Sequence, residues 1–389
     1  MIALARQAPV SWQVITAEGR LRELASEWEA LAERSDQDQP TVSPAWILAW
    51  WRAFGAEGGR RLRVVTVRRA GRLIGLAPLA SRAAWDRQTL PSRRLELVPS
   101  GEPEADDIAS DYIGVVAERG CEQAVGDALA EAIAGGALGP WDELVLPRMN
   151  LDGPMVPVLA TALEGLGRVV FSVSSGSPYI PLPATWDEYL AQLSASNRRR
   201  VRQSLRAFDA WTGGHARLRV ARTRAELEEG TRVLRELHGQ RWRAAGELGV
   251  FASARFAAFH GEVMPALLEK GALELMWLCA HGEPVAALYN IVWNGAVQFY
   301  QSGRRTDLPG NLRPGLVIHA LAIRRAIELG RREYDFLTGT SRHKQELALA
   351  VRPMGTLRIL RPGAVDRARL LYERGVALVR AARASRPSG

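Results

Sequence analysis

Lysine is almost missing from this chain: of its 51 basic residues, Lys270 and Lys344 are the two lysines and the rest are arginines. Cysteine is equally sparse. Cys121 and Cys279 lie far apart, which excludes a disulfide framework and the paired spacing of a zinc site. Cys279 falls in an apolar strand pattern, and both are read as reduced thiols of a cytoplasmic protein. No run approaches the roughly 18 uninterrupted apolar residues of a membrane span. The opening MIALARQAPVSW has too short an apolar run and no cleavage pattern for a signal peptide. No spacing suggests a metal or a flavin.

What is present is a chain of 389 residues, 47% hydrophobic and 24% charged, enough for two ordinary well-buried domains. The formal charge of +9 is carried by arginine. A codon preference for arginine is its plain explanation; an anionic partner such as a nucleotide cofactor, RNA or a membrane surface is the other.

Along the chain, residues 11–15 read as a strand and Leu21 to Arg34 as a helix with Leu21, Leu24, Trp28 and Leu31 on one face. Ser43-Pro44 is a helix start, with Ser as cap and Pro in the first turn, and the aromatics that follow read as core. A hairpin turns at Ala70-Gly71. Then come a strand near Asp111 to Val116, a helix from Cys121 to Ala134, a strand at Asp142 to Leu146, a helix from Met155 to Leu166 and a strand at Arg168 to Val173. Ser174 to Pro183 reads as a linker. The second half repeats this order, with a near-constant offset between Thr16 and Thr223 and between Gly71 and Gly282, which points to duplication. We place the boundary at 175/176, with residues 1–175 as a structural domain that walls the substrate cleft and 176–389 as the cofactor-binding, catalytic one. Trp186 to Phe208 is a helix whose run Arg198 to Arg206 reads either as an RNA-binding arm or as a solvated face packing through Leu193, Val201, Leu205 and Phe208. Val365 to Arg383 is a closing basic helix that packs on its own domain or lies on a membrane surface.

The stretch from Gly271 to Lys344 organises the second half. It runs strand, His281-Gly282 turn, strand, a third strand at Ala296 to Ser302, a loop rich in Gly, Pro and Arg, a helix from Pro314-Gly315 to Leu329, and a strand at Glu333 to Leu337. That order sets the free N–H groups of a helix start beside two strand ends, a seat for phosphate. The first half has no Pro-Gly at the matching helix and carries Glu118 there, which disfavours an anion.

These residues carry a resemblance. Glu27-Trp28, Ser43-Pro44-Ala45-Trp46, Trp50-Trp51, Gly75 to Leu79, Asp111-Tyr112, Leu237-His238 with Arg241-Trp242, Gly246 to Phe251, Pro284 to Ala287, Tyr300 with Ser302-Gly303, Pro314-Gly315, and Asp335 to Gly339 leading to Lys344 resemble the tandem GNAT-fold acyltransferases of the CelD/BcsL type, relatives of the Fem peptidyltransferases. The resemblance implies an α/β (α+β) fold of two GNAT-like domains, each a mixed sheet flanked by helices. It implies direct transfer from acetyl-CoA or another acyl-CoA to an amino or hydroxyl group of a small-molecule or saccharide acceptor, in exopolysaccharide or cell-envelope synthesis. The alternatives are aminoacyl transfer from tRNA and a non-catalytic binding subunit. Monomer and homodimer stay open.

On the same resemblance, Ser302, Gly303, Arg304, Arg305, Arg313, Gly315 and Leu316 would hold the carrier's phosphates, and His238, Arg241 and Trp242 the acceptor. Asp335 or His343 would be the base and Tyr300 or Tyr334 the acid for the leaving thiolate, with backbone N–H near Tyr300 to Ser302 as oxyanion donor. Lys344 falls on the family's lysine and is read as a substrate or phosphate contact. Each has a plain rival: Asp335 as an orienting or capping group, His343 as a loop residue, His238 as a structural hydrogen bond and the arginines as loop solvation.

Overall fold

The helix and strand signals resolve into two compact units in the computed structural model, which describes residues 8–84, 91–372 and 374. One unit takes the chain up to Gly101, Tyr112–Ser174 and the chain from Gly355 onward; the other takes Glu102–Asp111 and Ser175–Met354. The units therefore exchange segments, where the sequence reading drew one boundary at 175/176. Strand Met354–Leu360, expected in the second half, pairs with Arg168–Val173 of the first unit. Residues 364–372 are helical, and the rest of the expected closing helix lies outside the described residues.

The first unit has two sheets. One joins Val10–Ile15, Val64–Arg69, Arg72–Ala77 and Val116–Ala117; the other joins Arg61–Leu62, Leu79–Ala84, Ser92–Leu97, Glu143–Asn150, Met354–Leu360 and Arg168–Val173. Helices Glu122–Ala134 and Met155–Leu163 bury Val125, Leu129, Leu159 and Leu163 with Leu95 and Leu144 in one core. Helix Pro44–Phe54 begins as expected, Ser43 Oγ accepting from Trp46 N at 3.3 Å. The helix expected over Leu21 to Arg34 is broken at Leu24 into Glu18–Glu23 and Ala25–Glu33.

The strand expected at Asp111 to Val116 is a correction of more consequence. It shrinks to Val116–Ala117, and the parallel partner of Glu143–Asn150 is Ser92–Leu97. Charges conceal that strand in the sequence, yet they are matched: Arg93 meets Asp142 at 2.7 Å, Arg94 meets Glu143 at 2.8 Å and Glu96 meets Arg82 at 2.6 Å. Glu118 is likewise paired, with Arg34 at 3.2 Å and Arg72 at 2.6 Å.

The second unit is one seven-stranded sheet. Its elements are β1 (Ser177–Pro181), α1 (Trp186–Gln192), α2 (Ala195–Thr212), β2 (Arg217–Val220), α3 (Arg224–Arg243), α4 (Ala254–Glu269), β3 (Leu273–Ala280), β4 (Glu283–Trp293), β5 (Ala296–Arg304), α5 (Pro314–Glu328), β6 (Glu333–Asp335), α6 (Arg342–Leu347) and β7 (Ala350–Arg352). The strand order is β2-β3-β4-β5-β6-β1-β7, and among the registered ladders β5/β6 is the parallel pair. Its crossover is α5, as a parallel connection requires. The stretch expected as a linker, Ser174 to Pro183, thus holds β1 inside the sheet: Pro181 lacks a donor, but β1 pairs only from Ser177 to Pro181. The helix expected from Trp186 to Phe208 is broken at Leu193, and Ser194 Oγ caps α2 through Asn197 N at 3.3 Å. Val201 and Phe208 are buried, the packed-face reading of this segment. α3 opens on a capping box between Thr223 and Glu226.

Two details of β5 place the site. Its register with β4 jumps from Phe299 opposite Asn290 to Gln301 opposite Tyr289, leaving Tyr300 as the extra residue of a bulge. Gly303 lets the backbone of α3 come against the strand, since a Cβ there would lie 2.4 Å from His238 N and 2.7 Å from the Leu237 carbonyl carbon. Both obstacles are helix backbone and cannot rotate away. Gly303→Ala is expected to lower stability by about 1–3 kcal/mol in urea melts, the usual cost of overpacking; an unchanged midpoint would show that α3 yields freely.

Candidate active site

β5 and β6 pair only from Ala296 to Gln298 against Glu333 to Asp335. Beyond that point the chain follows β1, Phe336 N donating to Pro178 O at 2.9 Å. Asp335 fixes the divergence. Its carboxylate, 1% exposed, accepts from Ser177 Oγ and Leu337 N, each at 2.7 Å, and from Arg352 Nη1 at 2.8 Å. The remainder of β5 keeps an open edge. Because Arg305 N donates to Val285 O at 2.9 Å, the alternation of an antiparallel ladder turns the N–H groups of Ser302 and Arg304 toward that edge.

Two cavities flank the gap. The larger, about 510 Å³, is walled by Ser302 to Thr306, by Arg313 to Leu316 at the start of α5, by Ile318 and His319, and by Arg241, Arg342, His343 and Glu346. The smaller, about 190 Å³, is walled by Asp111, Arg241, Trp242, Tyr300, Ser302, Thr338, His343 and Lys344 among others. Arg241, Ser302 and His343 face both.

The larger cavity is cationic. Among the described residues Arg241, Arg304 and Arg313 have no carboxylate partner; Arg241 donates to Ser302 Oγ at 3.3 Å, and Arg304 to its neighbour's carbonyl. Burial and the nearby Arg304 lower the pKa of Arg241, the mark of a cation without a counter-charge. Arg313 adopts a left-handed conformation (φ 42°) before Pro314; Leu316 N and Val317 N both donate to Arg313 O, while the N–H of Gly315, in the first turn, has no hydrogen-bond partner among the described residues. Unsatisfied N–H at a helix start beside unpaired guanidiniums is a fit for phosphate. Arg305 departs from expectation: Asp307 holds it through bonds of 2.9 and 2.5 Å and is itself held at about pKa 2.

His343 lines both cavities, with a buried Nε2 that has no partner among the described residues. Burial, then Lys344 and Arg241, push its pKa down to about 4, so the ring is neutral near pH 7. Lys344 Nζ donates to Thr338 O at 2.6 Å and Leu337 O at 3.3 Å; burial outweighs Asp111 and Asp335 and lowers it to about 8. It ties down the loop after β6, where Thr338 is also bonded by the Asp111 carboxylate at 2.7 Å.

Three expected roles do not match these positions. Asp335 lines neither cavity, its oxygens being committed to Ser177, Leu337 and Arg352, so it orients strands where a base was expected. Tyr300 faces the smaller cavity, but its hydroxyl donates to Ile108 O at 2.5 Å and lies 3.0 Å from His260 Nε2, so it has no free proton for a thiolate. His238 lines neither cavity: it is fully buried, and its Nε2 accepts from Trp242 Nε1 at 2.8 Å, the structural bond that was its rival reading. Trp242 itself reaches the smaller cavity and carries Arg241 on its ring at 5.4 Å. Tyr334 is buried behind the larger cavity, 3.2 Å from His319 Nδ1. Sequence reasoning missed Asp111, Thr338 and His319 as site residues. His319 is hidden in an apolar helix pattern, and Asp111 lies far away in sequence.

Two measurements check this assignment. Asp335→Ala leaves Arg352 partly buried with less compensation, and a loss of about 3–5 kcal/mol in chemical denaturation is expected, as when one partner of a buried pair is removed; a base that did nothing structural would leave stability intact. Burial holds His260 at about 3 and His238 and His343 at about 4, below their usual 6.5. Between these values the unfolded chain binds protons that the folded chain does not, so stability present above pH 6.5 is lost as pH falls toward 4. The urea midpoint should fall across that window, and His260→Gln should flatten the slope.

Residues 195–345 match the acetyltransferase (GNAT) domain family. No curated protein matches the chain. Among solved structures, FemX is similar over 90% of this chain and 97% of its own, with a TM-score of 0.59 and 14% identity. The C-terminal domain of a putative lysylphosphatidylglycerol synthetase from Agrobacterium fabrum is similar over 92% and 97%, with a TM-score of 0.52 and 11% identity. L-PGS from Bacillus licheniformis is similar over 90% and 96%, with a TM-score of 0.51 and 10% identity. At such identities the likeness is one of fold. The match to the GNAT-type acetyltransferase domain lies in the second unit, within a mixed α/β fold of sheets flanked by helices, and the chain is by class an acyltransferase.

Proposed function

We propose that the chain transfers an acyl group from acetyl-CoA or another acyl-CoA directly to an amino or hydroxyl group of a small polar or saccharide acceptor. The observation that carries this reading is the phosphate-suited wall of Arg241, Arg304, Arg313 and the Gly315 N–H, opening along the free edge of β5 onto a second, smaller cavity. The carrier occupies the larger cavity and the acceptor the smaller. His343, neutral and facing both, takes the acceptor's proton as its oxygen or nitrogen attacks the thioester carbonyl. The Ser302 N–H on the open edge of β5 supports the oxyanion. Lys344 holds the loop that shapes the acceptor side. The resemblance to CelD/BcsL-type proteins supports an acceptor of the exopolysaccharide or cell envelope and a cytoplasmic site of action.

A second reading, aminoacyl transfer from tRNA, draws on the exposed Arg199, Arg202 and Arg206 on one face of α2 and on the fold shared with FemX and with synthetases named for lysylphosphatidylglycerol. Among the described residues no helix is long and apolar enough to cross a membrane.

Calorimetry against CoA, acetyl-CoA and aminoacyl-tRNA separates these. Binding of acetyl-CoA is expected, weakened about tenfold or more by Arg304→Glu or Arg313→Glu, or ~1.4 kcal/mol. Lys344→Ala should lower turnover while leaving the melting temperature near that of the wild type. Tight tRNA binding with no response to CoA would overturn the donor assignment, and silence to all three would favour a binding subunit.

A further inference from the structure

We infer that His319 is a further catalytic residue of the proposed transfer: its Nε2–H faces the thioester sulfur in the larger cavity and holds the departing thiolate, while Tyr334 locks the ring in that tautomer. The inference rests on the acyl-transfer reading above, because it concerns what the carrier's sulfur meets.

His319 lies on the second turn of α5, in the wall of the cavity whose mouth is the Gly315 N–H. A carrier whose phosphates rest on that helix start therefore runs its thioester end past the imidazole. The ring is held on all sides. Phe299 meets it edge-on at 4.6 Å, Phe336 lies at 5.8 Å, and His343 stacks on it at 5.2 Å with the planes 28° apart. Nδ1 faces inward, 3.2 Å from Tyr334 Oη.

That contact sets the tautomer. Tyr334 is fully buried, and burial, with Glu274 nearby, holds its phenol well above the usual tyrosine value, so Oη keeps its proton and requires an acceptor. Asn290 acts on that phenol as a donor, so the phenol's own proton goes to Nδ1, 3.2 Å away, which leaves the ring's proton on Nε2. Burial, followed by His343, Lys344 and Arg241, keeps His319 well below the usual histidine pKa, so this is a neutral donor that lends a hydrogen bond and keeps its proton. The two tyrosines cannot serve the sulfur. Tyr300 Oη is turned to Ile108 O, and Tyr334 does not reach either cavity.

The step balances as follows. A bond forms from the acceptor's nitrogen or oxygen to the carbonyl carbon, and the C–S bond breaks with its electron pair on sulfur. The acceptor's proton passes to His343 Nε2 and from there to sulfur, while His319 returns unchanged. His343 faces both cavities and stacks on His319, so the proton's donor and its destination share one ring as neighbour.

The test uses the full chain with CoA, acetyl-CoA and hydroxylamine as a surrogate nucleophile. The thiol of CoA bound to the wild type, followed by the ultraviolet absorbance of its thiolate against pH, should titrate about one unit lower than in His319→Leu, a tenfold change in thiolate fraction. Turnover of acetyl-CoA should fall about 10²-fold in His319→Leu, as for loss of one donor to a developing anion, and recover in part in His319→Gln, whose amide N–H replaces the donor. Phenyl thioacetate, whose thiolate needs less support, should lose far less. If His319→Leu does not fold, His319→Leu combined with Tyr334→Phe removes both ends of the buried hydrogen bond and carries the same measurements. An unchanged thiol titration, or equal losses on both thioesters, would make His319 a structural residue and overturn the inference. A wild type that does not bind CoA would instead overturn the donor assignment.

Discussion

The second unit depends on one buried carboxylate. Asp335 spends its oxygens on β1, on β7 through Arg352 and on the backbone two residues ahead, and this draws β6 away from β5. A parallel pair that zipped to its end would have no gap, no free N–H on β5 and no seam between two cavities. Charge buried at this depth is costly unless fully matched, and here it is matched by one guanidinium and two hydrogen-bond donors. The catalytic opportunity is thus a by-product of where a sheet is prevented from continuing.

Arginine distribution tells the same story from the other side. About half of the arginines find an acid, even inside the first unit, where Glu143 is fully buried between Arg94 and Arg369. Arg241, Arg304 and Arg313 break that habit together, in one cavity. Gathered unmatched in one cavity of a protein with 42 acidic residues, these like charges support the proposed anionic ligand. The near absence of lysine sharpens the contrast, because Lys344 is used for something arginine does poorly: a compact, partly desolvated ammonium bound to two loop carbonyls.

Much of this architecture was legible in the sequence. The helix start at Ser43-Pro44 and the hairpin at His281-Gly282 follow from local chemistry, and the strand–loop–helix seat at Gly315 follows from element order alone. What escaped has physical causes. Ser92–Leu97 carries charges whose partners lie on other strands, 14 residues away for Glu96 and 49 for Arg93 and Arg94, so its strand character is invisible until the fold supplies them. Ser177–Pro181 is too rich in turn formers to read as a strand, yet a short ladder on each side suffices. Asp335 looked like a base because carboxylates beside a cleft often are; only its three partners reveal otherwise. His319 went unread because it sits in an apolar helix pattern and is core on every side but one.

The wall between the cavities has a consequence of its own. Arg241 and Ser302 belong to elements whose backbones touch at Gly303, and the same side chains face both compartments. On the proposed reading, whatever a ligand in one cavity does to the field or position of that wall is returned by a ligand in the other as the same free energy, whichever arrives first. The shared wall alone then suffices to couple the proposed carrier and acceptor, with no moving domain required.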